Sequence, residues 1–286
     1  MSPIALALVI CGALLHAYWN VQAKKASSGG IPFIWLFGLV SVALLGPVAI
    51  WRLDATWASI DGPFLVAVAA SAIIHVGYSY ALQRGYRSGD FSVVYPVARG
   101  VAPLLTVAGA ALFLSERSGI AVWLGAGAIA TGIMMLGWRP RSRASASLRG
   151  GIGWAALTGA TISAYTLVDG WAISKLHADP ITYYTLGLAM RSVLFAPWAL
   201  RDIPALRSLA RTSMPAIAAV GICAPLAYLL ILVALQHAPV SQVAPLREIS
   251  MLFGVFAGGA HLGERTSGAK IAGVVALGVG ALLVAL

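Results

Sequence analysis

The heptad HAYWNVQ, residues 16–22, lies inside the first long apolar segment of the chain. A stretch that only had to cross a bilayer would be written in Leu, Ile and Val. An imidazole, a phenol, an indole and two carboxamides are costly in hydrocarbon, so such groups face protein or a water-filled cavity. The three- and four-residue spacing puts His16, Trp19 and Asn20 on one helical face. Asn20 both donates and accepts hydrogen bonds, and Trp19 can stack on a ring or a cation. That set suits an amphipathic small molecule. The competing reading is interhelical hydrogen bonding, worth about 0.6 kcal/mol per contact. Tyr18 points elsewhere, toward a helix interface.

Further polar groups recur in apolar runs. SAIIHVGYSY sets Ser71, His75, Tyr78 and Ser79 on one stripe. Arg99, Arg191 and Arg247 fall within helices. Arg99 lies roughly 12 Å along its helix at 1.5 Å per residue, too deep for easy snorkelling. It needs a carboxylate, carbonyls or a substrate anion. Glu248 follows Arg247 directly, but adjacent helical residues do not face each other. Tyr95 stands before Pro96, and Pro96, Pro103 and Pro245 free carbonyls and bend helices where a cavity needs irregular backbone. The pairs Glu116-Arg117 and Glu264-Arg265 read as turn and hinge elements at helix starts, where the dipole favours a carboxylate.

These groups need apolar elements to hold them. The 286 residues are 60% hydrophobic and 10% charged, against about 25% charge in soluble domains. Ten segments are long and apolar enough to span: 3–23, 31–51, 63–83, 91–114, 119–138, 151–172, 181–199, 213–234, 240–261 and 267–286. The first reads as a retained helix rather than a cleaved leader. Lys24, Lys25, Arg84, Arg87, the arginines of RPRSRASASLR, Arg201, Arg207, Arg211, Arg265 and Lys270 share one side; Arg52, Arg117 and Lys175 take the other. The positive-inside rule therefore places both termini outside, on the periplasmic side, and the basic linker in the cytoplasm.

The net charge of +10 is spread between apolar segments, which argues against a nucleic-acid partner. Two cysteines, Cys11 and Cys223, exclude a disulfide framework and a zinc motif. No Gly-rich phosphate loop, H-E-x-x-H or G-x-S-x-G occurs. No cofactor is implied, and an intramembrane enzyme is the main rival class.

The sequence repeats itself. HAYWNVQ matches SAYTLVD (163–169), bringing Tyr165 and Asp169 into the candidate set. SYALQ (79–83) matches LVALQ (232–236), which sets His75 against Tyr228. FLSERSG (113–119) matches HLGERTSG (261–268), and the same register aligns Arg99 with Arg247, Ala128 with Ala276 and Gly132 with Gly280. The chain reads as an all-α membrane protein of ten transmembrane helices in two inverted five-helix repeats, 1–138 and 151–286, joined by a linker at 139–150. Five is odd, so the second half enters the membrane upside down, an arrangement common in secondary transporters. Ala272, Ala276 and Gly280, spaced by four, mark the tenth segment as a close-packing scaffold or a contact with a second copy, leaving monomer or homodimer open.

The tandem halves, the Pro-bearing VYPVARGVAP and VAPLREIS, the turns SER and GER and the stretch AYTLVDG together resemble the drug/metabolite transporter superfamily, specifically its EamA-type ten-helix members. The resemblance covers the whole chain. It implies export of amino acids or related small metabolites, with lipid and a small-molecule substrate as partners. It also implies a central cavity lined by the first, third, fourth, sixth, eighth and ninth helices. The aromatic content favours aromatic or large neutral amino acids. Phosphate-bearing metabolites or lipid-linked sugars, held by Arg99 and Arg247, are the alternative.

Overall fold

The computed structural model describes residues 1–25, 29–88, 91–136, 147–253 and 268–286. Among these residues all regular structure is helical. The helices are α1 (Pro3–Lys25), α2 (Gly30–Trp51), a short α3 (Leu53–Thr56), α4 (Gly62–Ser88), α5 (Phe91–Phe113) and α6 (Ile120–Leu136). They continue with α7 (Ser147–Ser174), α8 (Pro180–Ala199), α9 (Ile203–Thr212), α10 (Met214–Ala234), α11 (Val240–Arg247) and α12 (Gly268–Ala285). Glu264-Arg265, His261, the end of the ninth segment and most of the basic linker lie outside the described residues.

Seven helices, α1, α2, α4, α5, α7, α10 and α12, are long and apolar enough to cross a membrane, and α6 is a shorter apolar helix. Their outward faces carry Ile50, Trp51, Leu112, Phe113 and Ile120, each more than 70% exposed. A water-soluble surface rarely carries so continuous an apolar coat; a lipid-facing one requires it. This is a multi-pass membrane protein.

The ninth segment departs from a continuous span. Proline has no N–H to donate to the carbonyl four residues back, and Pro245 sits near the end of α11. The backbone then tightens, with Glu248 N–H donating to the Pro245 carbonyl and Ile249 N–H to that of Leu246, both at 3.0 Å. Helical backbone resumes at 250–253. The break delivers Arg247 and Glu248 to the protein interior, both at most 5% exposed.

Packing joins the two halves helix by helix. α6 lies on α12, α2 on α8 and α5 on α11; α1 lies on α10, and α4 on α7. The α6–α12 contact is made by glycines. A Cβ on Gly132 would stand 2.7 Å from the Gly273 carbonyl oxygen, and one on Gly125 would stand 2.7 Å from that of Gly280. Backbone therefore meets backbone, as small residues allow in membranes. The face used corrects the expected stripe of Ala272, Ala276 and Gly280 in part: Gly280 is buried in the seam with Gly273 and Leu277, whereas Ala272 is exposed. The side chain of a residue at every fourth position drifts around a helix of 3.6 residues per turn, so the seven-residue spacing of the two glycines marks the seam better.

One end of the bundle is sealed. Val9, Phe64, Leu114, Ile173, Leu232 and Val240, drawn from both halves, form one buried cluster there. The Met1 ammonium donates to the Ala285 carbonyl at 2.9 Å, so the two termini meet at this end. Glu116 caps a helix, but not the one that follows it in sequence. Its carboxylate oxygens accept the N–H groups of Val240 at 2.8 Å and Ser241 at 2.9 Å, the first donors of α11 in the other half. Ser115 delivers it from a left-handed conformation, φ 56°; the repeat places Gly263, a residue at ease there, in register with it. Beside this clamp, Arg52 Nη2 reaches Asp179 Oδ2 at 2.6 Å while Asp179 Oδ1 accepts the Thr182 N–H at 2.9 Å. Burial alone would raise the Asp179 carboxyl, but the bonds from Thr182 and Arg52 outweigh it and hold the group below its ordinary value.

Removing the Glu116 carboxylate leaves two buried-end donors of α11 without an acceptor. Glu116→Ala is expected to cost about 1–3 kcal/mol, by the scale of lost caps and unsatisfied donors. A thermal melt in detergent should show a lower midpoint, with Glu116→Gln between the two. An unchanged midpoint for Glu116→Ala would show that the clamp contributes nothing.

Candidate functional site

Inside the sealed end lies a cavity of about 640 Å³, within the range that holds small organic ligands. It is lined from both halves, and the exposed residues of its lining, Tyr86 and Arg87 at the end of α4, mark its mouth. Arg84 and Arg87 put that mouth on the basic side of the chain.

The apolar faces of α1, α4, α7 and α10 turn outward or onto their packing partners, which leaves the polar positions facing each other. His16, Trp19, His75, Tyr78, Ser79, Arg99, Tyr165, Tyr228 and Arg247 all line the cavity. His75 and Tyr228, aligned in the sequence, meet with ring centroids 6.2 Å apart and planes nearly perpendicular. His75 stacks on Tyr165 at 3.9 Å, and Tyr78 meets Tyr165 edge-on at 6.0 Å. His75 Nδ1 lies 2.8 Å from the Ser71 carbonyl oxygen. A carbonyl only accepts, so Nδ1 carries the proton.

Three expected residues stand elsewhere. Asn20 is not in the wall; its amide donates to the His16 carbonyl one turn back, at 2.7 Å. That local bond uses the group that was expected to reach a ligand. Tyr95 sits behind the wall with its ring 5.6 Å from the Arg99 guanidinium carbon. Asp169 is 1% exposed. It accepts the Tyr183 hydroxyl at 2.7 Å and, on its other oxygen, the hydroxyl of Tyr228. Asp169 thus orients a cavity tyrosine from behind. Tyr18 also corrects the reading: it is 51% exposed on the outer face, not in an interface, while its repeat mate Tyr165 is in the cavity wall.

The central electrostatic feature is a carboxylate shared by two arginines. Arg99 Nη1 stands 3.3 and 3.4 Å from the two Glu248 oxygens, and Arg247 Nε is 3.6 Å from Glu248 Oε1. Glu248 is 1% exposed. Arg99 also donates from Nη2 to His16 Nε2 at 3.0 Å. An arginine has no acceptor, so that ring nitrogen carries a lone pair. The carboxylate that Arg99 requires is therefore supplied by the protein. Arg247 is the less satisfied of the two: among the described residues its buried Nε has no hydrogen-bond acceptor, and neither has the buried Trp19 Nε1.

Sequence reasoning missed part of the wall. α2 contributes Phe33 and Trp35, and α8 contributes Tyr184 and Arg191, so the second and seventh segments join the six expected ones. Arg191 donates from Nε to the Gly187 carbonyl at 3.1 Å and lies 5.3 Å from the Tyr184 ring centre. Its charge within an apolar segment was the available signal.

Glu248 neutralises one of two buried guanidinium groups. Breaking a buried pair by removing one partner costs about 3–5 kcal/mol. Glu248→Gln should therefore melt far below wild type, and the double variant Arg99→Gln/Glu248→Gln should recover part of the loss because one stranded charge goes with its partner. Single-variant stability equal to wild type would remove the carboxylate from this role.

The fold is shared with known structures. A crystal structure of another protein superposes with a TM-score of 0.77 at 17% identity, covering 99% of this chain and 96% of that one. Identity so low establishes a common fold only. No curated protein matches the chain. The EamA-like transporter family model matches residues 149–286, a range that begins at the end of the basic linker and contains the whole second repeat, including Asp169, Tyr228, Arg247 and Glu248. The second half of this membrane protein is thus an EamA-like transporter family domain, consistent with the drug/metabolite transporter superfamily.

Proposed function

We propose that the protein is a secondary transporter. It exports small amphipathic, carboxylate-bearing metabolites, with aromatic and large neutral amino acids as the reference class, across a bacterial inner membrane by alternating access. The observation that carries this reading is the cavity: it is built from both halves, open at one end and sealed at the other by a cluster that also draws on both halves. Such a cavity needs only a change in how the halves meet to open on the opposite side.

The packing supports the two-half arrangement of ten spans. Helices five segments apart pair with each other (α2 with α8, α6 with α12, α5 with α11), and the contact of α1 with α10 has its exchanged counterpart in that of α4 with α7. The meeting of the two termini fits an even number of crossings, and the basic residues at the mouth favour a cytoplasmic open side and periplasmic termini. The conformation is then inward-open. The repeats 1–138 and 151–286 are the units that exchange.

Arg247 takes the anion-binding role in this reading, since Arg99 already holds Glu248. The arginines also fit a phosphate-bearing solute. The aromatic walls and the single carboxylate already placed between Arg99 and Arg247 suit a monoanion better.

Reconstituted protein preloaded with phenylalanine should take up labelled phenylalanine by saturable counterflow, and excess unlabelled solute should abolish the uptake. Uptake that rises linearly without saturation indicates a channel. Recovery of a covalently altered solute indicates an enzyme. Either result overturns the carrier.

A further inference from the structure

We propose that the cavity selects net anions. It prefers an arylalkyl carboxylate without a free amino group to the zwitterionic amino acid bearing the same side chain. The inference rests on the reading of this cavity as the solute site and narrows its substrate class.

The charge inventory of the wall is one-sided. Arg87, Arg99, Arg191 and Arg247 contribute to it, and among the described residues no aspartate or glutamate does. The two carboxylates close behind it are already engaged. Glu248, 1% exposed, lies between Arg99 and Arg247, and Asp169, 1% exposed, receives two tyrosine hydroxyls. The repeat makes the imbalance specific. The register that aligns Arg99 with Arg247 sets Gly100 opposite Glu248, so two equivalent arginines share one counter-ion and one positive charge is left over at the cavity wall.

The unsatisfied hydrogen-bonding groups point the same way. Trp19 Nε1 and Arg247 Nε, both buried beside the cavity and without an acceptor among the described residues, are donors. A donor lacking a partner calls for an acceptor, and a carboxylate offers several lone pairs. An ammonium group finds the reverse. Its acceptors here are all neutral, the hydroxyls, the Gln83 amide and the unprotonated Nε2 of His75, and it must enter the field of guanidinium groups where water screens little. The aromatic rings attract a cation, but Tyr184 already faces Arg191 and Tyr95 faces Arg99. Aromatic surface therefore serves the apolar body of the solute, and the arginines serve its charge.

The test is calorimetric binding to the full chain in nanodiscs near pH 7, with 3-phenylpropionate, N-acetylphenylalanine, phenylalanine and phenethylamine as probes. The two acids should bind about tenfold or more tightly than phenylalanine, and phenethylamine should not bind. Phenylalanine binding as tightly as the acids, phenethylamine binding at all comparably, or no binding by either acid overturns the inference. Counterflow measured separately keeps the two readings apart: acid binding without counterflow upholds anion selection and overturns the carrier. Arg247→Gln should lose about tenfold in acid affinity while 3-phenylpropan-1-ol, which lacks the charge, binds as before. Unchanged acid affinity in that variant contradicts the role of Arg247. If Arg247→Gln does not fold, Arg247→Lys keeps the charge without the Nε donor and should show a smaller loss; full affinity there removes the Nε contact from the account.

Discussion

Two arginines buried among apolar helices cannot stand without a counter-charge, and among the described residues one glutamate serves both. Arg99 comes from α5 and Arg247 from the end of α11, so Glu248 ties the two halves at their centre. The rest of the site is arranged around this shortage. Pro245 breaks the ninth segment so that Arg247 and Glu248 enter the interior on irregular backbone. His16 accepts from Arg99 and fills the remaining side of that guanidinium. Arg247 keeps a donor in reserve beside the cavity. Full neutralisation would give a tighter core but no reason for an anion to enter; no neutralisation would cost several kcal/mol per buried charge.

Around this centre the contacts divide into those fit to persist and those fit to exchange. The α6–α12 seam brings backbone to backbone through glycines and carries no polar group of the cavity, which suits a static scaffold. The sealed end is held by apolar packing and by a few polar clamps, Glu116 on the start of α11 and Arg52 on Asp179. Each of these joins one half to the other. In the proposed cycle they are the contacts that must open when the cavity turns to the other side, and polar clamps near a water interface can re-pair with solvent at modest cost.

Much of this was legible in the sequence because membrane helices leave few places for polar groups. The apolar segments marked the helices, and the repeat register matched His75 with Tyr228 and Arg99 with Arg247, four residues that all line the cavity. The limits were local and three-dimensional. The partner of Arg99 is Glu248, in the turn that ends α11, and its adjacency to Arg247 was discounted, yet the break after Pro245 lets Glu248 pair with both arginines. Asn20 shares a face with His16 and Trp19, yet a hydrogen bond one turn back removes it from the wall, a competition between side chain and backbone that spacing does not reveal. α8 read as an ordinary span, although its tyrosines and Arg191 face inward. In the tenth segment the sequence reading grouped Ala272, Ala276 and Gly280, and only the close approach of α6 brings Gly273 forward beside Gly280.

The central claim is that one cavity faces the two sides of the membrane in turn. Ser79 lies in its wall, and Cys11 and Cys223 are the natural cysteines to be removed first. A Ser79→Cys variant in the Cys11→Ala/Cys223→Ala background, in oriented vesicles, can be challenged with a membrane-impermeant maleimide from either side, with and without transported solute. The account predicts labelling from the cytoplasmic side at rest and increased labelling from the opposite side during transport. Labelling confined to one side under every condition, while transport continues, would contradict it.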